Sequence, residues 1–181
     1  RDEKDYFRTT STFSSLAALR GTFAFTESDS WSKTTPQISL SKAFGENATG
    51  YLSANEGFKS GGFNGRANSA TEVSSFDPET VWTYELGFKA TTADRRLAGN
   101  FAVFYSEYED FQARVSEVQN PGAPIPTFAF PVLNAAKLGI AGAEFEGIML
   151  IGDATQVSTQ IGWLDADYDE FDDPRVDLNP A

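Results

Sequence analysis

The residues best equipped for chemistry are the carboxylates of residues 165–173: Asp165, Asp167, Asp169, Glu170, Asp172 and Asp173. Their opening Asp-x-Asp-x-Asp is the start of a calcium-binding loop, in which alternate oxygens wrap one ion. Such a loop needs a glycine at its sixth position, for a sharp turn, and a bidentate glutamate at its twelfth. Glu170 and Val176 occupy those places, so the stretch reads as a solvated acidic loop and no metal site is assigned. The chain has neither histidine nor cysteine. Zinc sites, thiol nucleophiles, disulfides and Ser-His-Asp catalysis are therefore excluded from these residues. The acids also lack the flanking cleft that a paired-carboxylate glycosidase requires. No catalytic residue and no cofactor is expected.

The second distinctive stretch is Gly57-Phe58-Lys59-Ser60-Gly61-Gly62-Phe63-Asn64. Glycines allow backbones to approach closely and adopt conformations closed to other residues. One reading is a bend or bulge at the end of a strand. The other makes Phe58, Lys59, Phe63 and Asn64 ligand contacts.

The elements that must carry these residues are strands. Residues 78–115 read as one β-hairpin around a polar turn at 91–95. Trp82, Tyr84, Leu86, Phe88 and Ala90 alternate with Thr83, Glu85, Gly87 and Lys89, and Leu97, Gly99, Phe101, Val103 and Tyr105 alternate with Arg96, Ala98, Asn100, Ala102 and Phe104. A period of two with one wet and one dry face is a strand signal. Trp82 and Tyr105 lie nearly equidistant from the turn on the dry face, as amphipathic rings do at a membrane interface. The dry run from Leu97 to Tyr105 matches the ~9–11 residues a tilted strand needs to cross hydrocarbon. A soluble sandwich with one solvated face produces the same alternation.

Around this hairpin, residues 1–30 read as a long polar loop with room for a small hairpin. Strands are expected at 31–44, with Pro36 inside, and at 48–57, where Tyr51 and Leu52 compete for the dry side. Others are expected at 79–90, 96–115, 133–150 and 155–169, all antiparallel neighbours in one curved sheet. Connections are short at 45–47, 91–95 and 151–154, and long at 57–77, 116–132 and from 169 onward. The second long one carries Pro121, Pro124, Pro126 and Pro131, which rules out a central strand. Short and long connections at opposite ends are the habit of outer-membrane barrels, and a sandwich has no reason to keep them so. No apolar run is long enough for a membrane helix, so any spanning falls to strands. The formal net charge of −12 argues against nucleic acid as a partner, because binding it needs a basic face.

The ordered set GFKSGGFN, ExVWTYELGFK and FYxxYEDFQ, with AGAEFEG and GWLDADYDEF, resembles the barrel of TonB-dependent outer-membrane receptors over most of residues 31–171. The resemblance implies an all-β, antiparallel transmembrane β-barrel fragment, about six strands of a barrel of roughly 22. It would have long outer loops and short periplasmic turns, with the plug domain, the coupling box and the C-terminal strand lying outside residues 1–181. It further implies a Gram-negative outer membrane, membrane lipid, the receptor's own plug and TonB as partners, and import of an iron–siderophore complex. Cobalamin or oligosaccharide cargo, a passive porin or adhesin barrel, and a soluble glycan-binding sandwich are the alternatives. Glu85, Lys89, Arg96, Asn100, Glu144, Glu146, Gln156 and Gln160 fall on the expected wet face, where they would line the substrate path or hydrogen-bond the plug and lumen water.

Overall fold

A computed structural model describes residues 2–12, 21–64, 74–118, 122, 124 and 128–171, with side chains described from Ala24 onward. The strands are β1 (Asp2–Thr12), β2 (Gly21–Trp31), β3 (Gln37–Phe44), β4 (Ala48–Lys59), β5 (Gly62–Phe63), β6 (Ser75–Phe76), β7 (Glu79–Thr91), β8 (Leu97–Arg114), β9 (Glu117–Val118), β10 (Phe128–Ala129), β11 (Val132–Ile151) and β12 (Thr155–Phe171). Six of them form one sheet in the order β12-β11-β8-β7-β4-β3, antiparallel throughout. This is the expected set of strands and neighbours. β1 pairs with β2, β5 with β6 and β9 with β10 in separate two-stranded sheets.

Three features differ from expectation. The first strand of the large sheet starts at Gln37, not Trp31, which instead closes β2. Proline has no N–H to give a ladder, so Pro36 stays outside and its carbonyl accepts the Glu56 N–H at 2.9 Å. Residues 1–30, read as mostly loop, contain an antiparallel pair running from Asp2↔Trp31 to Thr12↔Gly21; the apolar patch at 16–19 lies outside the described residues. The acidic stretch is not a loop up to Phe171: Asp165 pairs with Ala141, Asp167 with Gly139 and Glu170 with Lys137. The period of two continues through it, and charge on alternate positions is what a solvated strand face carries. Asp172 and Asp173 lie outside the described residues.

Register sorts the side chains into two faces. Leu40–Leu52–Leu86–Val103–Ala143–Trp163 form one cross-strand row and Gly50–Phe88–Phe101–Phe145–Ile161 the next. On the other face lie the rows Tyr51–Gly87–Ala102–Glu144 and Thr49–Lys89–Asn100–Glu146–Gln160. Trp82, Tyr84, Leu86, Phe88, Phe101, Val103 and Tyr105 thus share one face and Glu85, Lys89, Asn100, Glu144 and Gln160 the other, as the alternation predicts. Leu52, not Tyr51, takes the dry side. Trp82, Tyr105 and Trp163 share that face but not one row: Tyr105 faces Tyr84, while Trp82 faces Glu107.

The dry face is uncovered. Leu86 is 57% exposed, Phe101 49% and Ile161 62%, because no second sheet among the described residues packs against it. The buried apolar side chains among the described residues are Ala113, Ala129, Ala135, Ala136 and Leu138. Ala113, Ala135, Ala136 and Leu138 lie at the end of the sheet away from the short turns, and Ala129 lies in β10, within the connection from β8 to β11.

Candidate functional site

Two places gather polar chemistry: the middle of the wet face and the loop end of the sheet. On the wet face Tyr51 donates from its hydroxyl to Glu85 at 2.5 Å. Its ring lies flat over Gly87, where a Cβ would collide with it, and the Lys89 ammonium sits 5.5 Å from the ring centroid. Phe104 covers Gly142 on the next pair of strands in the same manner. In both places a glycine provides the flat bed that an aromatic ring needs to fold across the sheet. Asn100 stands between Lys89 and Glu146 in the register, and Glu144 lies in the same row as Tyr51. Thr83 and Ser106 join hydroxyls at 2.9 Å. Phe104, Ile148 and Leu164 share this face, so it is mixed rather than purely polar.

At the loop end, Lys59 pairs with Glu79 at 3.5 Å, and Glu79 is only 7% exposed. A buried carboxylate is expensive unless its oxygens are occupied; here the Gln112 N–H donates to it at 2.9 Å as well. Phe63 packs against Trp31 at 6.3 Å between ring centroids. Asn64 is buried, 2% exposed, with its N–H on the Ser74 carbonyl at 2.9 Å. Phe58 follows the alternation of β4 onto the dry face, opposite Thr80, while its neighbour Lys59 opposes Glu79 on the wet one.

Arg96 stands at the short-turn end of β8, opposite Leu150, whose N–H its carbonyl accepts at 2.8 Å. It lies in the turn before β8, and its guanidinium donates to the Gly152 carbonyl at 2.5 Å, joining two neighbouring short turns.

Sequence reasoning missed a cluster of four rings. Tyr108 and Phe111 meet edge-on at 5.9 Å, Phe111 and Tyr168 at 6.4 Å, and Tyr168 and Phe171 at 5.6 Å. Residues three apart on a regular strand point to opposite faces. Register shifts restore them to one side: β8 carries an extra residue around Asp110, and β12 carries one beside Lys137. Leu138 and Ala136 of β11 lie buried between the two pairs of rings. The signal was present as Tyr-Glu-Asp-Phe at 108–111 and Tyr-Asp-Glu-Phe at 168–171. Among the described residues no group of carboxylates converges to hold a metal ion.

Residues 4–180 match the family model described as TonB dependent receptor-like, beta-barrel. The chain belongs to the TonB-dependent receptor β-barrel family. Its sheet is similar to part of the ferric yersiniabactin uptake receptor of Yersinia pestis, with a TM-score of 0.65, 19% identity, and coverage of 85% of this chain and 21% of that one. It is also similar to part of the alcaligin outer membrane receptor of Bordetella pertussis, with a TM-score of 0.50, 19% identity, and coverage of 91% and 26%. At such identity the likeness is one of fold, and the chain spans about a fifth to a quarter of either receptor. The six-stranded sheet is thus a section of a transmembrane antiparallel barrel from a family of receptors rather than enzymes. Its uncovered apolar face is the lipid side, and the face carrying Tyr51, Glu85 and Asn100 is the lumen side.

Proposed function

We propose that the chain is a stretch of wall in a Gram-negative outer-membrane receptor that imports an iron–siderophore complex and is energised through TonB. The observation that carries this reading is the sidedness of the sheet. One face offers rows such as Phe88–Phe101–Phe145–Ile161 to hydrocarbon, and the other offers Lys89–Asn100–Glu146–Gln160 to a wet interior. A barrel wide enough to admit a chelate cannot be filled by its own strand side chains and needs a plug. In this reading Glu85, Lys89, Asn100, Glu144 and Glu146 would hydrogen-bond such a plug and lumen water. The solved receptors of similar fold are named for siderophores, which supports iron–siderophore cargo over cobalamin or oligosaccharide.

The test is uptake of radioactive iron, presented in siderophore-containing medium from an iron-starved culture, by cells with and without the full-length receptor. Deletion should abolish the receptor-dependent uptake, and loss of TonB should do the same. Loss of cobalamin or oligosaccharide uptake instead would reassign the cargo, and uptake that survives loss of TonB would indicate a passive pore.

A further inference from the structure

The lipid side of the sheet holds one charge out of place. Between the short turns and the row that carries Glu56 and Glu107, Lys42 is the sole charged residue on that face of the six strands, among the described residues. It pairs with Gly50, in the row that continues through Phe88, Phe101, Phe145 and Ile161. Its neighbours on the same face of β3 and β4 are Leu40, Phe44, Ala48, Gly50 and Leu52, none of which bears a carboxylate. The ammonium lies 5.4 Å from the centre of the Phe44 ring. That ring folds back over Gly50, where a Cβ would lie 3.2 Å from it, and meets the Phe88 ring at 6.2 Å between centroids. Lys42 therefore rests on an aromatic shelf and not against an acid.

A ring face attracts a cation without neutralising it. A lysine on the lipid face of a barrel is destabilising to a degree set by its depth, and an ionisable side chain within a membrane is a functional candidate whose partner must be found. Depth identifies the partner. Lys42 is three residues before Gly45, where the first short turn begins, and short turns mark the periplasmic end of outer-membrane barrels. At about 3.3 Å per residue, the ammonium lies within about 10 Å of that end, a gap that a snorkelling stem closes further. The anions at that depth are the phosphates of the periplasmic leaflet's glycerophospholipids. A zwitterionic headgroup brings its own ammonium to compete with Lys42, so a headgroup of net negative charge fits better.

We propose that Lys42, on its Phe44 shelf, binds the headgroup phosphate of an anionic glycerophospholipid in the periplasmic leaflet. The inference rests on the lipid side assigned above and needs no transport. The full-length receptor, freed of lipid in detergent, is titrated with phosphatidylglycerol and followed by native mass spectrometry. Lys42→Met keeps an unbranched stem and removes the charge. It should weaken binding of the first phosphatidylglycerol about fivefold, the contribution of one lysine near an anionic surface, whereas Lys42→Arg should retain the affinity. Phosphatidylcholine with the same acyl chains should bind the unsubstituted receptor more weakly than phosphatidylglycerol does. Heat-modifiable gel mobility should report folded barrels throughout, and Lys42→Gln carries the test if Lys42→Met does not fold.

The second readout is urea titration in vesicles. In phosphatidylcholine, Lys42→Met should raise the unfolding midpoint, because it removes an uncompensated charge from the lipid face. In phosphatidylglycerol the gain should shrink, because the lipid phosphate then compensates the lysine. Equal phosphatidylglycerol affinity with and without Lys42 overturns the site, as does equal affinity of the unsubstituted receptor for the two lipids. A loss shared by Lys42→Met and Lys42→Arg would trace to packing and overturn it too, and so would a midpoint gain of the same size in both vesicles. Phe101→Arg keeps the two failures apart. If that variant is destabilised while Lys42→Met binds lipid normally, the lipid side stands and the site falls; if it is as stable as the unsubstituted receptor, the lipid side itself is misassigned and the site falls with it.

Discussion

Tyr51 and Leu52 are adjacent and share strand propensity, yet one hydrogen-bonds Glu85 on the lumen side and the other lies between Leu40 and Leu86 on the lipid side. Either could be dry by its own chemistry; the carboxylate across the strand decides. The same dependence on a partner governs Asp94, in the short turn between β7 and β8. Its carboxylate accepts the Thr92 hydroxyl at 2.6 Å and the Arg96 N–H at 3.1 Å. These bonds, the hydroxyl's foremost, hold its pKa below the usual carboxylate value. A depressed folded pKa lends stability that is full above the unfolded value of about 4 and is lost as pH falls through the lower folded one. The Arg96 amide should therefore keep its protection from hydrogen exchange, relative to its intrinsic rate, through mildly acid pH and lose it only on stronger acidification. Asp94→Asn should remove that acid step. An identical step in the variant would show that another group causes it.

At the scale of elements, the paired interruptions of β8 and β12 do the most to shape the loop end. Asp110 adopts a φ of 55° inside β8, a left-handed conformation that aspartate tolerates and β-branched residues resist. Asp110→Val should destabilise the barrel by about 1–2 kcal/mol, whereas Asp110→Gly should be close to neutral. Urea titration of the refolded full-length receptor would measure both, and a Val variant as stable as Gly would mean that the strand runs through without the extra residue. These interruptions also mark where the sequence stops being legible. Alternation locates β7 and β8 to within a residue at each end, because wet and dry positions there differ sharply. It fails at Trp31, whose aromatic side chain suits β2 as well as β3 until Pro36 is seen to bar the ladder. At Asp165 and Asp167 charge suggests a loop and alternation a strand, and the structure follows the alternation, which Trp163, Asp165 and Asp167 keep. Gln112 and Asn134 were illegible for a different reason. They bond backbone oxygens far along the chain, and no local spacing announces such a partner.

For the whole molecule, the decisive property is that neighbouring residues in one strand meet two solvents. Phe101 sits between Phe88 and Phe145 on the uncovered face, while Asn100 sits between Lys89 and Glu146 on the other. The backbone at the two positions is equally well paired, so facing is what separates them. A guanidinium on the lipid side near mid-bilayer must leave water or drag it inward, which costs a barrel about 2–4 kcal/mol; on the lumen side it remains hydrated, with the Glu146 carboxylate across the strand. Phe101→Arg in the full-length receptor should therefore destabilise the barrel by roughly 2–4 kcal/mol, with Val103→Arg behaving alike, whereas Asn100→Arg should fold with nearly unchanged stability. Heat-modifiable mobility and urea titration in bilayers report folding, and iron uptake reports whether the added charge disturbs the proposed transport. Asn100→Arg that folds but transports poorly would place position 100 on that interior surface. Equal folding loss at 100 and 101 would mean that both faces are dry, which contradicts a water-filled lumen behind this wall.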